Sequence, residues 1–200
     1  MKVRSGLMAA CCMLAFSGAS LVAHAQEALA PGSVTYTCCN LHYDKDWISD
    51  ANWATLPFLP AGSRIALADY RRNYANVYVE GKRMYIGHDY GTGQETREQF
   101  VERLIVKEDP KLRLATYTPE VQAAIRAGKV MPGMTQEQVI MSLGYPRTDT
   151  TPDRQSNEWT YWTFEAQQYT VVWNAERRVQ SVEAAMPVKR QVVFTPGTTK

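Results

Sequence analysis

Residues 128–146, GKVMPGMTQEQVIMSLGYP, carry the clearest fold signal in the chain. Thr135 is followed three residues later by Gln138, which is the spacing of a helix capping box. Gly144 comes directly after the last apolar residue of the run, at the position where helices commonly end. The stretch therefore predicts a short helix that begins after Thr135 and stops at Gly144.

A second short helix is predicted just upstream, and a sheet downstream. Thr118 and Pro119 are typical of an N-cap and a first helical residue, and Gly128 of a helix end. Three runs rich in β-branched and aromatic residues follow the helical hairpin: Trp159–Phe164, Tyr169–Trp173 and Arg178–Val182. We expect a three-stranded antiparallel meander whose apolar face packs on the helices.

The pattern from about Thr118 to Ala184 resembles the SmpA/OmlA domain family, which includes the smallest lipoprotein of the outer-membrane β-barrel assembly machinery. The resemblance is carried by GMTQEQV (133–139), LGYP (143–146) and YTVVWNAERRVQSVEA (169–184). It implies a helix-helix-strand-strand-strand domain related to β-lactamase inhibitor-like folds, and a role in outer-membrane assembly or integrity. The chain departs from the family in lacking a convincing lipobox and in carrying a long additional N-terminal part.

That N-terminal part is predicted to be rich in β-strands. Short β-prone runs occur at Val34–Cys39, Arg64–Ala68, Val77–Val79 and Met84–Ile86. They favour a small antiparallel barrel or curled sheet, and LPAGSRI (59–65) before a hairpin resembles bacterial SH3-like modules.

Apolar spacing then predicts a connecting helix over Thr96–Val106, ended by Asp109 and Pro110. We therefore expect an α+β protein with a β-rich module at 34–92, a connecting helix and linker at 93–117, and an SmpA/OmlA-like domain at 118–194.

The first 25 residues have the features of a secretory signal peptide. Lys2 and Arg4 form a charged region, an apolar region follows, and Ala23-His24-Ala25 is an A-x-A cleavage site. This predicts a periplasmic protein, with or without association with the outer membrane. Lipidation at Cys11 is the alternative.

The charge balance argues against nucleic-acid binding. Removal of Lys2 and Arg4 leaves equal numbers of basic and acidic residues, so the mature chain lacks the positive charge that such binding needs. No later stretch is apolar over the length of a membrane span. The expected partner is an envelope protein or an outer-membrane component, and no transmembrane helix is expected in the mature chain.

Two cysteines, Cys38 and Cys39, remain in the predicted mature chain. We expect two half-buried thiols on opposite faces of a strand, because a bond between sequence neighbours closes a small ring. A vicinal redox switch and an intermolecular bridge are the alternatives. Cys39 and His42 are the only short-range thiol and imidazole pair. An enzyme that uses this pair is one functional class that the sequence leaves open, beside the two non-catalytic classes given below.

Other chemistry-bearing groups give weaker signals. Asp44, Asp46 and Asp50, with Asn40 and Asn52, lack the Gly and terminal Glu of a calcium loop, and a solvated loop is expected. The run at 91–93, Gly-Thr-Gly, lacks the full glycine pattern and the lysine of a phosphate loop. We predict no catalytic residue, no metal ligand and no cofactor.

Aromatic side chains crowd the predicted meander. Strand alternation places some of them on the helices and leaves others exposed, where Trp and Tyr are favoured interface anchors. The candidate partner-binding residues are Trp159, Tyr161, Trp162, Phe164 and Trp173. The sequence thus predicts a non-catalytic envelope binding or scaffolding protein. The alternative is a secreted inhibitor that presents the same sheet to an enzyme.

Overall fold

The N-terminal half of the chain supplies most of the strands. The computed structural model describes residues 34–89 and 95–197, and all of them lie within one compact unit. Within these residues, the first helix is preceded by β1 (Tyr36–Thr37), β2 (Leu41–His42), β3 (Trp47–Ser49), β4 (Phe58–Leu59), β5 (Ile65–Tyr70), β6 (Ala75–Val79) and β7 (Lys82–Gly87).

These strands form a four-stranded sheet and a separate pair. The sheet has the order β3-β7-β6-β5, and β2 pairs with β4. Strand β3 runs parallel to β7, whereas the other pairs are antiparallel. The predicted hairpin is present as β6 and β7, with Gly81 at a φ of +81° in its turn. The expected small antiparallel barrel or curled sheet did not include β3, which pairs in parallel with β7 because β4, β5 and β6 lie between these two strands along the chain.

The predicted strand over Val34–Cys39 is shorter in the structure. It ends at Thr37, and the two cysteines lie in a bend. The Cys38 N–H still donates to the Leu104 carbonyl, beside the pairing of β1 with Ile105–Val106, at 2.9 Å, but the Asn40 N–H donates to the Met141 carbonyl of the C-terminal part at 3.0 Å, so the backbone leaves the sheet at this point. Tertiary hydrogen bonds therefore replace the strand ladder.

The connecting helix is also shorter than predicted. Helix α1 spans Arg97–Leu104 with Thr96 as N-cap, and the chain then extends into β8 (Ile105–Val106), which pairs with β1. Asp109 does not end an element; its side chain accepts the Lys111 N–H and begins α2 (Pro110–Leu114). A short helix follows because Asp and Pro are favoured at the N-cap and first helical positions.

The C-terminal part follows the predicted order. Helices α3 (Pro119–Arg126) and α4 (Gln136–Leu143) form a hairpin, and β9 (Glu158–Trp162), β10 (Gln168–Trp173) and β11 (Val179–Glu183) form an antiparallel sheet in the order β11-β10-β9. Thr135 and Gln138 make the predicted capping box. Helix α5 (Met186–Val192) follows the sheet and was not predicted.

The structure confirms the α+β class, with an N-terminal strand region, a helical part and a three-stranded antiparallel sheet. The SH3-like resemblance of the first part stays a prediction. Four sequence predictions lie outside the described residues. They are the signal peptide, the alternative lipidation of Cys11, the glycine run at 91–93 and the end of the β-rich module at residue 92.

One buried cluster holds the C-terminal sheet, its helices and part of the N-terminal chain together. It includes Ala61 from the loop before β5, beside residues of α3, α4 and α5. Asn40 extends this connection through hydrogen bonds: its side-chain N–H groups donate to the carbonyls of Ile125 and Ser142, and its side-chain oxygen accepts the Ala61 N–H. The N-terminal strands are thus anchored on the helical hairpin.

Candidate functional site

The inner face of the β9–β11 sheet forms core. Trp159 packs edge-on against Trp173 with ring centroids 4.7 Å apart, and Tyr161 stacks on Tyr169 at 5.6 Å. Burial raises the pKa of both tyrosines, and the Tyr161 hydroxyl donates to the Gly144 carbonyl. Exposure is 1% for Trp159, 2% for Tyr161 and 3% for Trp173. These three candidate residues are therefore inaccessible to a partner in the folded chain.

The other two candidate residues lie on the opposite side of the sheet. Trp162 is half-buried, with the Arg147 guanidinium 4.7 Å from its ring centroid. Phe164 is 48% exposed and packs edge-on against Trp53, with 5.4 Å between centroids. We call Trp53, Trp162 and Phe164 the aromatic patch. Trp53 was not among the predicted residues, because it is brought to the sheet from the N-terminal part.

Backbone contacts hold the aromatic patch in place. The Ala54 N–H donates to the Trp162 carbonyl at 3.2 Å, and the Phe164 N–H donates to the Thr55 hydroxyl at 2.9 Å. Residues 53–55 thus run beside the end of β9. The patch is built on fixed backbone from two separate parts of the chain.

A second surface feature is an open groove of about 570 Å³ next to α2 and α4. Its apolar lining comes from Leu112, Ile140 and Met141, with further lining from Cys38, Val106, Glu108, Asp109, Pro110, Arg113, Thr116, Glu137 and Tyr145. An Arg113–Glu137 ion pair of 3.3 Å joins the two helices. The groove therefore combines an apolar lining with charges of both signs.

Cys38 and Cys39 are joined by a disulfide bond beside this groove. The expected pair of free thiols on opposite faces of a strand was wrong, because the strand ends at Thr37 and the bend brings the two sulfurs together. Cys38 is half-buried and lines the groove, whereas Cys39 is fully buried.

The Cys39 and His42 pair has no arrangement suited to catalysis. Cys39 is held in the disulfide, and His42 is buried against Phe58 with 5.1 Å between ring centroids. Burial lowers the pKa of His42 to about 4, although the Asn52 side chain opposes the shift. A neutral imidazole without a thiol partner supplies no nucleophile and base pair.

The acidic segment at 44–52 does not form a solvated loop throughout. Asp50 is 3% exposed, and its Oδ2 lies 3.1 Å from His88 Nδ1 while its Oδ1 accepts the Asp89 N–H. Burial raises the pKa of Asp50, but the hydrogen bonds from His88, the Asp89 N–H and Ser49, together with the charge of His88, outweigh burial and hold the pKa below its usual value. The same hydrogen bond raises the pKa of His88 against burial.

This Asp50–His88 pair belongs to a structural contact between the sheet and α1. The His88 ring packs on Phe100 at 5.0 Å, and Glu95 pairs with Arg103 nearby. The sequence did not indicate the pair, whose members are 38 residues apart. Across residues 34–89 and 95–197, no three His, Cys, Asp or Glu side chains are grouped to hold a metal ion.

No helix in the described part of the chain has both the length and the apolar character of a membrane span. Comparison with known proteins finds no matching family model, no similar curated protein and no similar solved structure. The SmpA/OmlA resemblance therefore stays a prediction from the sequence motifs.

Proposed function

We propose that this chain is a non-catalytic binding or scaffolding protein of the cell envelope, linked to outer-membrane assembly or integrity, and that the aromatic patch is its partner surface. The observation that carries the proposal is the exposure of Phe164, 48%, beside Trp53 at the end of β9. Large aromatic side chains at a surface are typical anchors of protein interfaces.

The rigidity of the patch supports this role. Its backbone is held by hydrogen bonds from Ala54 to Trp162 and from Phe164 to Thr55. A surface ordered before binding loses less conformational entropy when the partner arrives. The buried rings of Trp159 and Trp173 lie on the other face of the sheet and support it from within.

Two features support the proposed location in the cell envelope. The N-terminal 25 residues have the pattern of an export signal. The order α3-α4-β9-β10-β11 is the one that the SmpA/OmlA resemblance implies, although a shared architecture does not by itself specify an activity.

The experiment is quantitative capture from solubilised envelope, using the tagged full chain with Phe164→Ala or Trp162→Ala. Tyr78→Ala is the matched control, because Tyr78 is 46% exposed on a different strand. We expect a specific envelope protein or outer-membrane component to bind about thirtyfold more weakly to the patch variants, equivalent to roughly 2 kcal/mol. Tyr78→Ala should bind normally.

The outcomes separate the two functional classes. If the captured protein is an enzyme whose activity falls on binding, the inhibitor alternative is correct. If the patch variants retain capture while their circular dichroism matches that of the unsubstituted chain, the aromatic patch is not the partner surface.

A further inference from the structure

The two linked cysteines differ sharply in their access to solvent. Cys38 is half-buried and forms part of the groove lining, whereas Cys39 is 0% exposed. Thiol–disulfide exchange begins when a thiolate attacks one sulfur of the bond, and access selects which residue is attacked. A reagent that enters the groove therefore reaches Cys38 and not Cys39.

The disulfide contributes little to holding the fold together. A disulfide restricts the unfolded chain in proportion to the loop that it closes, and a bond between sequence neighbours closes the smallest one. The surrounding backbone has its own hydrogen bonds: Thr37 N–H to the Ser63 carbonyl, Cys38 N–H to that of Leu104, and Asn40 N–H to that of Met141. Opening the bond leaves these contacts in place, so reduction is a local event.

We propose that Cys38–Cys39 is a reversible thiol–disulfide exchange site, at which a low-molecular-mass thiol attacks Cys38 through the groove. The thiolate sulfur forms a bond to the Cys38 sulfur, and the Cys38–Cys39 bond breaks. Cys39 leaves with the electron pair and takes up one proton. A second thiol molecule then attacks the bound thiol's sulfur, which releases reduced Cys38 and a small disulfide. Two electrons pass from the two thiols to the protein.

The groove suits a small thiol that carries both a carboxylate and an ammonium group. Its volume, about 570 Å³, lies in the range of small-molecule sites. Its lining carries the negative charges of Glu108, Asp109 and Glu137 and the positive charge of Arg113, which pairs with Glu137. Glutathione has this chemistry and serves as the probe. The proposal concerns a different surface from the aromatic patch and does not depend on the proposed binding function.

The first test uses the unsubstituted full chain. Chymotrypsin can cleave after Phe16 and Tyr36, so fragments carrying Cys11 and Cys12 are separable from the one carrying Cys38 and Cys39. We expect no alkylation of Cys38 or Cys39 before reduction. Under mild dithiothreitol treatment, iodoacetamide should label Cys38 at least tenfold faster than Cys39, with unchanged circular dichroism. Two free thiols before reduction, or reduction only in denaturant, would overturn the proposal.

The second test compares Cys39→Ser with Cys38→Ser after exposure to oxidised glutathione. Cys39→Ser keeps the accessible sulfur, so we expect one glutathione adduct at residue 38. Cys38→Ser keeps only the buried sulfur, and its adduct at residue 39 should be less than a tenth as abundant. No adduct in Cys39→Ser, or equal adducts in the two variants, contradicts attack at Cys38. The labelling order in the unsubstituted chain gives the answer independently if either variant unfolds.

Discussion

At the scale of single residues, the pKa values of His42 and His88 shift in opposite directions. His42 packs against the Phe58 ring, and burial lowers its pKa to about 4. His88 lies beside the Asp50 carboxylate, and that hydrogen bond raises its pKa above the usual value. The stabilisation from His88 is therefore complete below pH 6.5 and is lost as the pH rises through its raised pKa.

His42 destabilises the fold when the pH falls. The unfolded chain takes up a proton at His42 below pH 6.5, whereas the folded chain resists protonation until about pH 4, so stability decreases across this window by roughly 3 kcal/mol. We expect His42→Leu to remove this decrease. Urea unfolding at several pH values between 4 and 7 measures it, as the difference in unfolding free energy between the two proteins. A constant difference would show that His42 titrates normally.

At the scale of secondary structure, α4 depends on a local cap. The Thr135 hydroxyl accepts the Gln138 N–H, and the Gln138 side chain accepts the Thr135 N–H in return. Thr135→Ala should lower the unfolding free energy by about 1 kcal/mol, the usual cost of losing such a cap. The denaturation midpoint should fall at unchanged slope, and the exposed Thr150→Ala should leave it in place. An unchanged midpoint in Thr135→Ala would show that the cap does not stabilise α4.

The alternation of side chains along β9 gives a second test at this scale. Trp159 is fully buried against Trp173, whereas Trp162 is half-buried on the other face. Trp159→Ala should cost roughly 3–5 kcal/mol, because a large side chain leaves a cavity in the core. Trp162→Ala should cost about 1 kcal/mol, typical of a partly exposed site. Thermal unfolding of both variants measures the two losses of stability. Equal losses of stability would mean that both faces of the sheet are covered.

The elements that were predictable from sequence are those whose signals are local. The caps of α3 and α4 and the alternation in the C-terminal sheet lie within a few residues of the structure they specify. The end of β1 was not predictable, because the backbone leaves the strand for a hydrogen bond from the Asn40 N–H to the distant Met141 carbonyl. Likewise, Trp53 completes the aromatic patch through a ring contact with Phe164 that no local pattern encodes.

At the scale of the whole molecule, buried asparagines join distant parts of the chain. Asn40 contacts Ile125 and Ser142, which are 85 and 102 residues away. Asn52 donates to the Leu143 carbonyl and accepts the His42 N–H. In the sequence both looked like members of an acidic, polar loop, because the partners that make their burial favourable lie at the end of α3 and in α4. Satisfied buried amides of this kind favour one arrangement of the packed elements over others.

We therefore expect the N-terminal strands and the C-terminal sheet to unfold in one cooperative transition. Asn40→Ala removes three buried hydrogen bonds, two to the helical hairpin and one to Ala61 in the N-terminal part, and should cost roughly 2–4 kcal/mol. Native-state hydrogen exchange should show the same decrease in the free energy of opening at the Val77 amide in β6 and at the Val171 amide in β10. Both amides then exchange only when the whole unit unfolds. The exposed Asn73→Ala should change neither site. A loss confined to Val77 would mean that the two parts unfold independently, with Asn40 stabilising the N-terminal strands alone.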